Sequence, residues 1–171
     1  MTSLGNEAHL APKELWQRDK KGLLLALGND ILGDDAVGHL VAREAAARLD
    51  LNQTEVVETG EAGLALLEQL AGYDQAVIVD AFETSEYTPG TVLVYGVDDF
   101  REIVAPSPHY AGLPEVFDLA RRLHLPMPEP MKVVAISVLG PFAFGHSVSP
   151  DVEAAIPEAV EAVLRVLGQR A

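Results

Sequence analysis

Apolar and polar positions alternate along this chain in two rhythms. Five short apolar runs, Leu23–Leu27, Glu55–Val57, Ala76–Val79, Thr91–Val94 and Val133–Ser137, read as strands. Their near-continuous Val, Ile and Leu content suits strands covered on both faces. Between them the period lengthens to that of a helix. Val37, Leu40, Val41, Ala45 and Leu49 line one face of a segment running from Asp34 to Leu49. Leu64, Leu67 and Leu70 mark a second helix, and Leu113, Val116, Phe117, Ala120 and Leu123 a third. Pro150-Asp151-Val152-Glu153 opens a long terminal helix through Val163 and Leu167. Alternating strands and helices predict an α/β fold, a three-layer α/β/α sandwich around a mixed, mostly parallel five-stranded sheet. The mixed character rests on FETSEYTPG, which is too short for a crossover helix. The third and fourth strands are therefore expected to form an antiparallel hairpin.

Composition narrows the function. The chain has 171 residues, which suits one domain, with residues 1–21 as an N-terminal extension and 22–171 as the body. Trp16, in ELWQRDKK, either docks the extension onto the body or frays with it. A net charge of −14 speaks against nucleic acid and against a basic membrane-surface helix. The absence of cysteine removes disulfides, thiolate metal sites and a cysteine nucleophile together, and fits a reducing compartment. No apolar run approaches the roughly 18 residues of a membrane span, and charges stand where a secretory signal would be apolar, so a cytoplasmic protein is expected.

The chemistry gathers at strand ends. LLLALGNDILGDDAVG carries the first strand into the acidic pair Asp34-Asp35. One Asp satisfies a helix start, and a second adds repulsion that asks for a cation. The pair alone leaves helix capping and site chemistry both open. Asp80 closes VIVDA, where a desolvated carboxylate needs a donor, a metal or a substrate. His109 lies in APSPHYAG just ahead of the third helix. Two carboxylates and an imidazole suit a divalent transition metal such as Ni, Zn or Fe. His146, in FGHSVSP, is a further loop histidine. His9, His39 and His124 read as solvent-facing or packing residues. Glu58 and Gly60 of ETGEAG follow the second strand as a turn or a close-approach loop. GNDILG lacks the spacing of a phosphate loop, and no GxSxG elbow or credible serine triad occurs.

In combination these segments resemble the endopeptidases that mature nickel-iron hydrogenases. The matching stretches are LGNDILGDDAVG, Gly63-Leu64 with Leu66-Leu67, VIVDA, PGTVLV, SPHYAGLPEVFDLA and VSPDVEAAIPEAVEAVL. They cover Leu23 to about Leu167. The resemblance implies that Asp35, Asp80 and His109 contact the metal and carry the catalysis, which leaves Asp34 to cap the helix. It also implies the reaction, removal of a short C-terminal extension from a nickel-iron hydrogenase large-subunit precursor after nickel insertion. The nickel belongs to the substrate's cysteine-bound centre, so the isolated protein need hold no metal of its own. Two segments depart from the family pattern. ETGEAG replaces a DGGTxG-like loop, and SVLGPFAFG lacks an acidic Pro-Glu segment.

Two other classes compete. A receiver-like signalling domain also pairs acids after strand one with a phosphoacceptor Asp after strand three. Here the acidic pair lies a full turn beyond the strand, and Lys132 precedes the last strand instead of following it. A non-catalytic chaperone for the large subunit would share the same contact residues.

Overall fold

The computed structural model describes residues 16–96, 99, 113–140, 144, 145 and 147–168. Five strands, β1 (Gly22–Leu27), β2 (Thr54–Thr59), β3 (Gln75–Glu83), β4 (Val92–Gly96) and β5 (Met131–Val138), form one sheet in the order β2-β1-β3-β5-β4. β1, β2, β3 and β5 run parallel, and β4 is antiparallel to β5. The described residues also form four α-helices: α1 (Val37–Ala46), α2 (Ala65–Leu70), α3 (Leu113–Arg122) and α4 (Pro150–Val166). The expected mixed, mostly parallel α/β sandwich is what forms.

The layers follow from side-chain alternation along the strands. Leu24, Ala26, Val77 and Val79 face α1 and α4, which contribute Val37, Val41, Ala45, Val152, Ile156, Ala159 and Val163. Leu23, Leu25, Leu27 and Ile78 face the other way, onto Leu66 and Leu70 of α2 and Phe117 of α3. Every residue of β1 is buried, as its unbroken apolar run requires. Each such leucine contributes about 1.5–3 kcal/mol by leaving water.

The hairpin between the third and fourth strands is not formed. β5 pairs with β3 from Ala76↔Met131 to Glu83↔Val138 and occupies the flank where β4 was expected. Residues 84–91 instead pass over the end of β5 and deliver β4 to its far side. Ser137 fastens that passage. Its Oγ donates to the Thr88 carbonyl, its backbone N–H donates to the Thr91 carbonyl, and the Thr91 N–H donates to its Oγ. The strands are also longer than their apolar cores. Glu58 and Thr59 are the last residues of β2, and β3 continues three residues past Asp80. Lys132 lies inside β5.

The start of the extension's contact with the body is visible at residues 16–18. The Arg18 guanidinium donates to the carbonyls of Ala71 and Glu68 and lies 5.1 Å from the Tyr73 ring centroid. Tyr73 donates its hydroxyl to Glu55 at 2.7 Å. Burial, and then that carboxylate partner, push the phenol up to about 12.

Candidate active site

The carboxyl ends of the parallel strands form one edge of the sheet, where α/β folds place their chemistry. β1 ends at Leu27, and Gly28 carries the chain close against the Asp35 peptide, so that a Cβ at Gly28 would lie 2.2 Å from the Asp35 carbonyl oxygen. A 3-10 turn, Gly33–Ala36, then leads into α1. Gly38 seats the first turn of α1 directly on the sheet, since a Cβ there would meet the carbonyl oxygens of Leu27 at 2.2 Å and Val79 at 2.9 Å.

This geometry sets both predicted carboxylates. Asp35 is 3% exposed on the 3-10 turn, and that turn packs against β3. Asp80, 0% exposed, sits on β3 one residue beyond Val79, the last position paired to β1. It is therefore inside the strand, at the level where its neighbour stops. Asp80 shares a face with Ile78 and Phe82, the side covered by α3, and its Oδ1 accepts the Ala81 N–H at 2.8 Å. Removing a carboxylate from water is costly, so two buried ones at one edge mark a place built for charge. His109 and His146 lie outside the described residues, as does His9.

Asp34 does not cap its own helix. No side-chain cap closes either the 3-10 turn or α1. Asp34 instead accepts the backbone N–H of Ser149 at 2.5 Å and its hydroxyl at 3.0 Å. Ser149 is the N-cap position of α4, so the charge complements that helix's positive end. Two backbone hydrogen bonds, Gly33 N–H to the Gly145 carbonyl and Gly145 N–H to the Ile31 carbonyl, draw the same loop to the segment after β5.

His39 corrects another reading, for it is neither solvent-facing nor mere packing. It is 7% exposed, and its Nδ1 donates to Asp30 at 2.8 Å, because an ionised carboxylate only accepts. Its Nε2 faces the Thr59 carbonyl at 3.4 Å. Arg43, one turn further along α1, donates two hydrogen bonds to Glu58 and one, of 2.7 Å, to Asp30. The Arg43 guanidinium holds the Asp30 carboxyl below its usual value, with the His39 hydrogen bond adding to it against partial burial. Glu58 and then Asp30 raise the Arg43 guanidinium in turn. Ligand atoms of Asp30, His39 and Glu58 lie within 4.8 Å of one another, a donor set that suits a divalent ion. The guanidinium already bridges both carboxylates, so an ion would have to displace it. Sequence offered one clue to this network: His39 and Arg43 are four apart on a helix that opens at the strand ends. His124, by contrast, is exposed as expected.

Residues 39–166 match the model of the hydrogenase maturation protease family. The chain belongs to that family. The chain is also 30% identical, over 149 residues, to the hydrogenase 2 maturation protease of Escherichia coli strain K12, a match spanning 85% of this chain and 89% of that one. A match of that length must include Asp35. Among solved structures, the hydrogenase maturating endopeptidase HybD of E. coli superposes with a TM-score of 0.73 at 28% identity, over 86% of this chain and 92% of its own. The [NiFe] hydrogenase maturation protease HybD of Thermococcus kodakarensis gives 0.67 at 26% identity, over 85% and 97%. As a hydrogenase maturation protease the chain is an enzyme that cuts peptide bonds, which sets aside the signalling-receiver alternative. No helix among the described residues is long and apolar enough to cross a membrane.

Proposed function

We propose that this maturation protease removes the C-terminal extension of a nickel-iron hydrogenase large-subunit precursor in the cytoplasm, guided by nickel carried in the substrate's own cysteine-bound centre. Asp35, Asp80 and His109 contact that nickel and bring the scissile bond alongside. The observation that carries this reading is the burial of Asp35 and Asp80 at one sheet edge, on elements that pack together. His109 precedes α3 in sequence by four residues, and α3 covers the face on which Asp80 stands.

Carboxylate and imidazole donors suit a nickel ion presented with free coordination positions. The chain has no cysteine and offers no serine triad, which favours water as the attacking group. Asp35, Asp80 and His109 would hold that nickel beside the scissile bond, where it would polarise the carbonyl, activate the water or serve as an anchor. Two buried carboxylates at that edge favour the metal-loaded precursor over the empty one, since a divalent ion brings charge opposite to theirs.

The test mixes the full chain with nickel-loaded and nickel-free precursor and follows the precursor's C-terminal mass. Cleavage is expected only with nickel, and the double variant Asp80→Ala, His109→Ala is expected to leave the precursor intact. Unimpaired cleavage by that variant rejects the site. Binding without any change in mass assigns the chaperone role instead.

A further inference from the structure

We propose that His39 and Arg43 form a clamp that positions the Asp35 loop for cleavage, an inference that rests on the peptidase reading above. The two side chains lie four residues apart on α1 and grip two different elements. His39 holds Asp30, in the loop after β1, and faces the Thr59 carbonyl at the end of β2. Arg43 holds Asp30 and Glu58 at once, with its Nε and Nη2 forked onto the Glu58 carboxylate. α1, the β1 loop and β2 are thus joined by two cationic or hydrogen-bonding side chains and two carboxylates.

The loop so held is the one on which Asp35 rests. Gly28 lies against the Asp35 carbonyl, and the next nearest atom beyond that peptide is His39 Cδ2, at 3.7 Å from the position of a Gly28 Cβ. Gly28 is itself fastened to β2 through its N–H and the Thr59 carbonyl at 3.1 Å. Any displacement of residues 28–30 therefore moves the surface that supports the Asp35 peptide. His39 is buried, so its imidazole has little freedom to move while Asp30 is bound. Forked guanidinium–carboxylate pairs add directional restraint as well as charge.

A metal centre would use the same three donors, but it competes with the Arg43 guanidinium for both carboxylates. The geometry favours the clamp. None of its four residues is placed at the reacting atoms, so they are positioning residues. Loss of positioning slows the reacting step more than it weakens binding, because misplacement by about 1 Å can cost on the order of a hundredfold.

The full chain and nickel-loaded precursor are compared for the wild type, His39→Ala, His39→Asn and Arg43→Gln. Asn places an N–H near the position of Nδ1 and is expected to restore the bond to Asp30. His39→Ala is expected to lower kcat by about tenfold or more with KM within about twofold, and His39→Asn to recover to within about threefold of wild type. Arg43→Gln, at an exposed position, carries the same test if His39→Ala melts below the assay temperature; its kcat is also expected to fall. Hydrogen exchange of residues 28–36, read by mass spectrometry without precursor, is expected to quicken in His39→Ala and return in His39→Asn. This arm stands even where wild type fails to cleave, an outcome that would reject the peptidase reading and not the clamp. Unchanged kcat and exchange in folded His39→Ala overturn the proposal, as does an Asn variant no better than Ala. One equivalent of nickel or zinc chloride bound by wild type alone and lost in His39→Ala would make the cluster a metal site instead.

Discussion

At Gly38 one hydrogen atom separates a helix that can sit on the sheet from one that cannot. The position a Cβ would occupy is filled by two backbone carbonyl oxygens, and neither can yield without moving β1 or β3. Gly38→Ala is therefore expected to cost about 1–3 kcal/mol through forced separation of α1 from the strand ends. At this chain length that lowers the melting midpoint by about 2–4 °C per kcal/mol, readable by circular dichroism. A midpoint within a degree of wild type would show that α1 is not seated as described. Asp80 stood out in the sequence as a carboxylate closing an apolar run, although β3 continues three residues past it, and Asp35 as half of an acidic pair beyond the first strand. His39 was not, because a helix face carrying one histidine reads the same whether it meets water or a carboxylate brought by another loop. Its partner Asp30 stands nine residues earlier, and no periodic pattern relates the two.

Among elements, Asp34 joins the loop after β1 to the start of α4. Asp34 receives two hydrogen bonds from Ser149 and presents its charge to the N-terminal end of α4. Asp34→Ala removes the acceptor and is expected to cost about 1 kcal/mol, as losing a helix cap does. Asp34→Asn keeps an acceptor and loses only the charge, for a smaller cost of about 0.3–1 kcal/mol. Urea unfolding should show both as a lower midpoint with unchanged slope. Equal stability of Asp34→Ala and wild type would remove Ser149 as its significant partner. Asp34 looked like the cap of its own helix because sequence cannot show that a distant helix needs the same carboxylate. The place of β4 escaped for a similar reason. A short connection excludes a helix but does not say whether the chain returns along β3 or steps across β5, the course that the Ser137 hydroxyl fastens.

Across the whole molecule the net charge of −14 leaves few cations to spare, and Arg43 takes up two carboxylates. The Arg43 guanidinium holds Asp30 below its usual value, so the pairing stabilises the fold above the unfolded carboxylate range of about 4. That contribution is lost as pH falls through the lowered folded value. Arg43→Met should therefore melt below wild type at pH 7, and the gap should close as the pH drops below about 4. Because Arg43 and Asp30 are half exposed, the gap is expected to be small, no more than about 2–4 °C. A gap undiminished at pH 3 would mean that Arg43 acts through its hydrocarbon stem. The sheet was readable at this scale because apolar strands and amphipathic helices alternate cleanly along the chain. The stitching of loops was not, since Ile31–Asp34 meets Gly145 and Ser149 from the far end of the chain. That stitching orders events during synthesis. The loop carrying Asp35 leaves the ribosome early, yet the residues that lock it emerge more than a hundred positions later. A growing chain thus leaves the Asp35 loop without these fastenings until Gly145 and Ser149 have been translated.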